Sequence, residues 1–369
     1  MHNQNEVRID FSSMDTSLQL KAYSTVTLSP EGQQYKIAYE LEGNIILEAC
    51  PGAGKTEVMT QRCGHLIEIG RKPLALVFTK AARDELISRG INAHTIHSYC
   101  YAAVGWSGSY PKMLQSFIKY KGPKQKFTDI LVDEAQDLSL LQLQVILSIP
   151  TQNYFFVLDP YQSIYIGDWT KDVDEEYQSV NQGLGKEVIG LIKANMKLDH
   201  YIYLLDDYRN CPKIVEELEK IYPRGIVSKG TKDFGTTAIC TRSERELFQV
   251  DRWLRKNHIA HSLRLGVSDE TGVGFRIETF GEEEPKLKLL VLHANKGKQY
   301  SKIIILDWSL NSQDPEEDLN LLYVAIARAS KEVYIVENPH LEIPMGAFYS
   351  KGLVVPPDSW KDLVLQGGI

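Results

Sequence analysis

Short apolar runs recur along the chain, each followed by a stretch with helical spacing. They fall at residues 44–47, 74–78, 130–132, 154–158, 287–292 and 302–306. The runs are continuous rather than alternating, as in strands buried on both faces of a parallel sheet. Strand and helix in alternation predict βα units and an α/β fold. The first series of units ends between about residues 183 and 204. The pattern therefore predicts an N-terminal extension over 1–27, one domain over 28–197 and a second over 198–369. The acidic stretch 171–176 reads as an exposed loop.

Composition adjusts this picture only slightly. A chain of 369 residues has room for two or three cores. Its 43% apolar and 24% charged residues are ordinary for a globular protein. A net charge of −7 excludes a nucleic-acid binder that is basic all over. It leaves room for a local basic track, because binding follows the local field. The five cysteines, Cys50, Cys63, Cys100, Cys211 and Cys240, are odd in number and form no C-x-x-C. They predict reduced thiols, neither a disulfide framework nor a zinc site. The first residues lack the apolar stretch of a signal peptide. No apolar run approaches the roughly 18 residues of a membrane span. The expected setting is cytoplasmic (nucleoid or host cytoplasm for a viral protein), with no membrane partner.

Candidate chemistry begins at Ala49-Cys50-Pro51-Gly52-Ala53-Gly54-Lys55-Thr56. This segment leaves a strand-like run and enters a helix-like one, the setting a phosphate-binding loop requires. Gly52 and Gly54 let backbone amides curl around phosphates, and the helix N-terminus adds positive potential. Lys55 can reach the β and γ phosphates of a nucleotide such as ATP, and the Thr56 hydroxyl can ligate Mg²⁺. Ala49 stands where the strict pattern has its first glycine. Asp133-Glu134-Ala135-Gln136-Asp137 closes a second apolar run. Asp133 is placed to hold Mg²⁺ and Glu134 to deprotonate an attacking water, the two roles ATP hydrolysis needs beside such a loop.

Further segments, in order, complete a resemblance. They are Phe78-Thr79-Lys80-Ala81-Ala82, Thr95-Ile96-His97-Ser98, Leu158-Asp159-Pro160-Tyr161-Gln162-Ser163-Ile164-Tyr165, Tyr208-Arg209-Asn210, Leu292-His293-Ala294-Asn295-Lys296-Gly297 and Leu321-Leu322-Tyr323-Val324-Ala325-Ile326-Ala327-Arg328-Ala329. With the loop and the acidic segment, this ordered set resembles superfamily 1 helicases of the UvrD/Rep type from about residue 28 to 336. The resemblance implies two RecA-like domains with the nucleotide in the cleft between them. It implies that Gln162 senses the γ-phosphate, that Tyr208 stacks on adenine, and that Arg209 and Arg328 reach the γ-phosphate. Gln34, with adjacent Gln33 as its rival, stands where the family reads adenine. Gln299 stands where the family contacts the nucleotide sugar through a glutamate. Phe78, Thr79, His97, Tyr165, His293 and Lys296 are implied to line the nucleic-acid path.

The chain departs from the family in length. Only 34 residues lie between Ser98 and Asp133, and 82 between Asn210 and His293, where the family carries large insertions. The two motor domains are therefore expected with both accessory domains reduced or absent. Partner proteins could supply those functions. The short insert over 99–128 carries Lys112, Lys119, Lys121, Lys124 and Lys126 among Tyr110, Phe117, Tyr120 and Phe127. It reads either as a stunted nucleic-acid arm or as a lysine-rich loop whose aromatics pack inward. The family's tryptophan after Tyr165 falls on Gly167, with Trp169 nearby. The expected activity is ATP-dependent translocation on single-stranded DNA, or helicase action, with 3′-to-5′ direction implied by the resemblance alone. RNA stays open as the strand. The alternatives are remodelling of protein–DNA complexes without unwinding, and an ATP-switched nucleic-acid-binding module.

Overall fold

The computed structural model describes residues 27–78, 80–120, 126–164, 185–221, 224–269, 272–295, 297–306, 315–336, 354–356 and 359–366. The N-terminal extension up to residue 26, the 171–176 loop, Trp169, Thr79, Tyr165 and Lys296 lie outside the described residues. The chain divides into two compact units. The first holds the chain up to Leu204, except for two short segments, Cys50–Ala53 and Tyr161–Ile164. Those two segments belong with the second unit, Leu205–Ile369.

In the first unit the helices are α1 (Gln33–Tyr39), α2 (Lys55–Glu68), α3 (Lys80–Ser88), α4 (Ile96–Val104), α5 (Tyr110–Lys119), α6 (Leu140–Ser148) and α7 (Gly185–Asn195). The strands are β1 (Ile45–Ala49), β2 (Pro73–Val77), β3 (Ala93–Thr95), β4 (Asp129–Val132), β5 (Asn153–Leu158) and β6 (His200–Leu204). They form one sheet in the order β3-β2-β4-β5-β1-β6, and every pairing is parallel. All residues of β1 and β4 are buried, which is why their sequences are continuously apolar. β6 lies beyond the boundary expected at 197/198. Its backbone completes the edge beside β1, and the units part after Leu204.

Helix starts follow local chemistry. Thr95 caps α4 by accepting the Ser98 amide at 3.0 Å. Ser139 and Gln142 form a reciprocal capping box at α6. The basic insert is no separate arm. α5 is capped by Ser109, and its apolar stripe of Met113, Leu114 and Phe117 enters the core with Phe127. The Tyr110 hydroxyl accepts from Gln142 at 3.0 Å. Of Tyr110, Phe117, Tyr120 and Phe127, only Tyr120 stays well exposed. Burying a ring such as Phe117 is worth about 1.5–3 kcal/mol, which outweighs leaving it free for a ligand.

The second unit has a seven-stranded sheet in the order β11-β10-β12-β9-β13-β14-β15. These are β9 (Thr237–Thr241), β10 (His261–Asp269), β11 (Gly272–Phe280), β12 (Leu287–Val291), β13 (Tyr300–Ile305), β14 (Ala329–Val336) and β15 (Val354–Val355). All neighbours are parallel except the β10–β11 hairpin. β7 (Asp206–Asp207) and β8 (Val227–Ser228) make a separate small pair. α8 (Pro212–Glu219), α9 (Glu244–Lys256), α10 (Pro315–Ala327) and α11 (Ser359–Gln366) complete the unit. A second core gathers Ile239, Leu247, Leu254, Leu289 and Ile304.

Candidate nucleotide site

In an open parallel sheet, ligands bind beyond the carboxyl ends of the strands. In the first unit those ends carry most of the expected residues. β1 runs into the phosphate-loop segment, β4 into Asp133 and Glu134, and β5 into Asp159. β5 lies between β1 and β4, and pairing aligns Glu48 with Leu158 and Val132 with Phe156. The three ends thus lie side by side, with β4 ending two residues short of β5.

The loop has the backbone the sequence demands. Gly52 and Gly54 have φ of 73° and 80°, in the left-handed region open mainly to glycine. Gly54 caps α2, and a Cβ built there would lie 2.7 Å from Gln34 Nε2. The Gln34 amide therefore faces the loop. Its rival Gln33 instead donates to the Tyr203 carbonyl at 2.8 Å. Lys55 donates to the Ala49 carbonyl at 3.3 Å, folding back across the loop. Thr56 stands in the first turn of α2.

Asp133 is buried, with the Glu134 amide donating to its carboxylate at 2.9 Å. Burial and the neighbouring Glu134 push its pKa up to about 7, while Lys55 and that amide pull the other way. Glu134 has φ of 51°, an uncommon conformation for a non-glycine that costs about 1–3 kcal/mol. Gln136, fully buried, holds it there. The Gln136 side chain donates to the Glu134 carboxylate and accepts the Asp159 amide at 3.1 Å. Gln136 belongs to the acidic motif, yet the motif alone assigns it no role. Its place in a three-residue turn between two strand ends was the available signal.

The second unit assembles the remaining residues around Cys50–Ala53 and Tyr161–Ile164. Gln162 is buried, and the buried Arg328 guanidinium donates to its side-chain oxygen. Asn320 of α10 donates to the Ser163 carbonyl at 3.0 Å. The Tyr208 amide donates to the Gly52 carbonyl at 3.2 Å. Its ring is 40% exposed, leaving a face available for stacking. Burial, then Asp206, raises the Tyr208 pKa, so the phenol stays neutral. Arg209 donates to the Ala327 carbonyl at 3.4 Å, the residue before Arg328. Buried Asp207, which the motif reading passed over, accepts the Arg209 amide at 2.7 Å and the Asn210 amide at 3.0 Å. It also lies so close to Gly52 that a Cβ there would meet its carboxylate at 1.9 Å. Gln299 is exposed ahead of β13.

The expected nucleic-acid residues are spread out. Phe78 follows β2 and is half-buried. His97 sits on α4, and His293 lies in the turn after β12. Burial lowers the pKa of both histidines, keeping them neutral at physiological pH. Among the described residues no three His, Cys, Asp or Glu side chains converge as a metal cage, and no helix is long and apolar enough to cross a membrane.

Residues 33–168 match the AAA domain family, and residues 289–336 match the UvrD-like helicase C-terminal domain family. No curated protein sequence matches the chain. Solved structures similar to it include the arterivirus nonstructural protein 10 helicase, 13% identical with a TM-score of 0.44, over 80% of this chain and 60% of that one. The complex of that helicase with DNA is 13% identical with a TM-score of 0.43, over 81% of this chain and 61% of the other. The PRRSV helicase is 12% identical with a TM-score of 0.44, over 81% and 53%. The chain thus spans less than two thirds of the length of these structures. The chain thus carries, in order, a region similar to the AAA domain, with a phosphate loop and a paired acidic strand end, and a region similar to the UvrD-like helicase C-terminal domain.

Proposed function

We propose that the chain is an ATP-driven motor of the UvrD/Rep type that moves along single-stranded DNA, 3′ to 5′. The observation that carries this reading is the meeting of three neighbouring strand ends. It sets the loop with Lys55, the Asp133–Glu134 pair and Asp159 on one edge of one sheet. A nucleotide-binding module without hydrolysis has no need for a buried Asp133 next to a Glu134 held at positive φ beside the phosphate loop.

In this reading Gln34 reads the adenine edge, Tyr208 stacks on its face and Gln299 contacts the sugar. Lys55 and the amides of the Ala49–Thr56 loop bind the β and γ phosphates. Thr56 and Asp133 would hold Mg²⁺, which supplies charge neutralisation on the phosphate oxygens. The residues fit that ion. Asp133 is a buried carboxylate that its surroundings leave short of positive charge, and Mg²⁺ of this kind needs only one or two protein oxygens besides phosphate. Glu134 takes a proton from the water that attacks the γ-phosphorus, as the bond to the β–γ bridging oxygen breaks. Gln162 orients that water, and Arg209 and Arg328 stabilise charge on the transferring oxygens. Phe78, Thr79, His97, Tyr165, His293 and Lys296 line the strand path.

The insert between Ser98 and Asp133 folds into the core of the first unit through α5. This favours translocation and clearing of bound proteins over unaided unwinding. The test uses duplexes with 3′ or 5′ tails, and tails capped by streptavidin on biotin. Streptavidin release from the strand end the motor reaches, with little strand separation, supports the proposal. Release with neither tail, in the presence of robust ATP turnover, removes translocation from the account.

A further inference from the structure

One group of aromatic side chains in the first unit stays at the surface. Four residues apart on α4, His97 and Tyr101 share a helix face. Their rings lie 6.3 Å apart and within 9° of parallel. Gly105 ends the helix with φ of 72°, its amide on the Tyr101 carbonyl at 2.8 Å. The chain then turns back, so that Trp106 lies 6.2 Å from His97. Tyr110 closes the group from the core side at 5.3 Å. Tyr101 is 52% exposed and Trp106 48%. A Cβ built at Gly105 or Gly108 would meet nothing within 4 Å, so the approach along this loop is open.

The stretch of chain that carries these rings is one-sided in charge. No Asp or Glu occurs between Glu85 and Asp129, although the whole chain carries a net −7. Arg89 in that span is ion-paired with Glu57 and Glu85. Lys112, Lys119 and Lys126 are exposed, and Lys119 Nζ lies 5.8 Å from the ring of exposed Tyr120. Flat π faces on a stretch of chain that carries lysines and no carboxylates suit a strand whose bases are unpaired. Bases stack on rings and phosphates meet lysines. A duplex keeps its base faces inside and has none to offer.

We propose that Tyr101 and Trp106 form a base-stacking platform for single-stranded nucleic acid, flanked by the lysines of α5. This rests on the reading of the chain as a motor on single strands. It adds two residues outside the motifs that carry the resemblance. The platform is independent of sequence, because every base has a π face.

The test measures equilibrium binding of labelled oligo-dT and oligo-rU to the full chain, without nucleotide. Trp106→Ala and Tyr101→Ala are each expected to weaken binding about tenfold. Trp106→Phe, which keeps a flat ring, stays near wild type. Unstimulated ATP turnover and melting temperature stay unchanged in all three. The salt dependence of binding also stays unchanged, because the rings neutralise no phosphate. In the wild type, photo-crosslinking with 5-iodouracil strands places adducts on Tyr101 or Trp106. Wild-type binding that survives both alanine substitutions, or adducts found only elsewhere, overturns the platform and leaves the motor reading standing. A wild-type chain that binds neither oligomer overturns both.

Discussion

Gln136 donates to the Glu134 carboxylate while accepting the Asp159 amide, so one buried side chain ties the ends of β4 and β5 together. Glu134, at φ of 51°, is held in a conformation it would otherwise leave. Gln136→Ala is therefore expected to lower kcat for ATP by roughly ten- to a hundredfold with little change in KM. It also removes two hydrogen bonds, one of them fully buried, at about 1–3 kcal/mol of stability. Steady-state ATPase assays and denaturant titration check this together. An unchanged kcat in a destabilised variant would make Gln136 merely structural.

The raised pKa of Asp133 ties stability to pH. Its folded pKa, about 7, lies above the ordinary carboxylate value near 3.9. The folded state thus binds a proton that the unfolded state has already lost. The nucleotide-free protein is most stable below about pH 4, as far as this group is concerned, and loses that contribution as pH rises through 7. The slope is at most about 1.4 kcal/mol per pH unit within the window. Denaturation of the wild type and Asp133→Asn from pH 5 to 8 should show the slope in the first and its loss in the second.

Base recognition separates Gln34 from Gln33. Gln34→Ala is expected to reduce the preference for ATP over GTP by about tenfold, the effect of losing a specific pair of hydrogen bonds. Gln33→Ala loses only the bond to the Tyr203 carbonyl and leaves selectivity intact. Competition between the two nucleotides in a binding assay reads this directly.

Arg328 donates to Gln162 inside the second unit. An arginine acting on the transferring phosphoryl group is worth roughly 10³–10⁵ in rate. Arg328→Ala is expected to lose at least a hundredfold in kcat while binding ATP within a few-fold of wild type. Arg328→Lys fails to rescue it, because one ammonium cannot match the planar fork. Single-turnover hydrolysis alongside fluorescent-nucleotide binding separates the two effects. Full turnover in Arg328→Ala would return this arginine to a packing role.

Much of this was legible in the chain, and the reasons are local. The run before Gly52 and the run before Asp133 are buried on both sides, so burial wrote them as apolar blocks. Gly52 and Gly54 stand where the backbone needs positive φ. What was illegible is tertiary. Phe117 and Phe127 alternate with lysines in a pattern that fits an arm as well as a core helix. The apolar spacing of Met113, Leu114 and Phe117 was the overlooked signal that one face turns inward. Gln136 and Asp207 gain their roles from chain segments brought close by folding. Adjacent Gln33 and Gln34 differ only in the direction α1 points them.

The central claim is that this chain hydrolyses ATP and that a single strand drives it. ATP turnover measured with and without saturating oligo-dT or oligo-rU tests it most directly, with Lys55→Ala and Glu134→Gln as controls. The account predicts turnover that rises at least tenfold with a single strand and is abolished by either substitution. Turnover that ignores the strand, or that survives both substitutions, would contradict it.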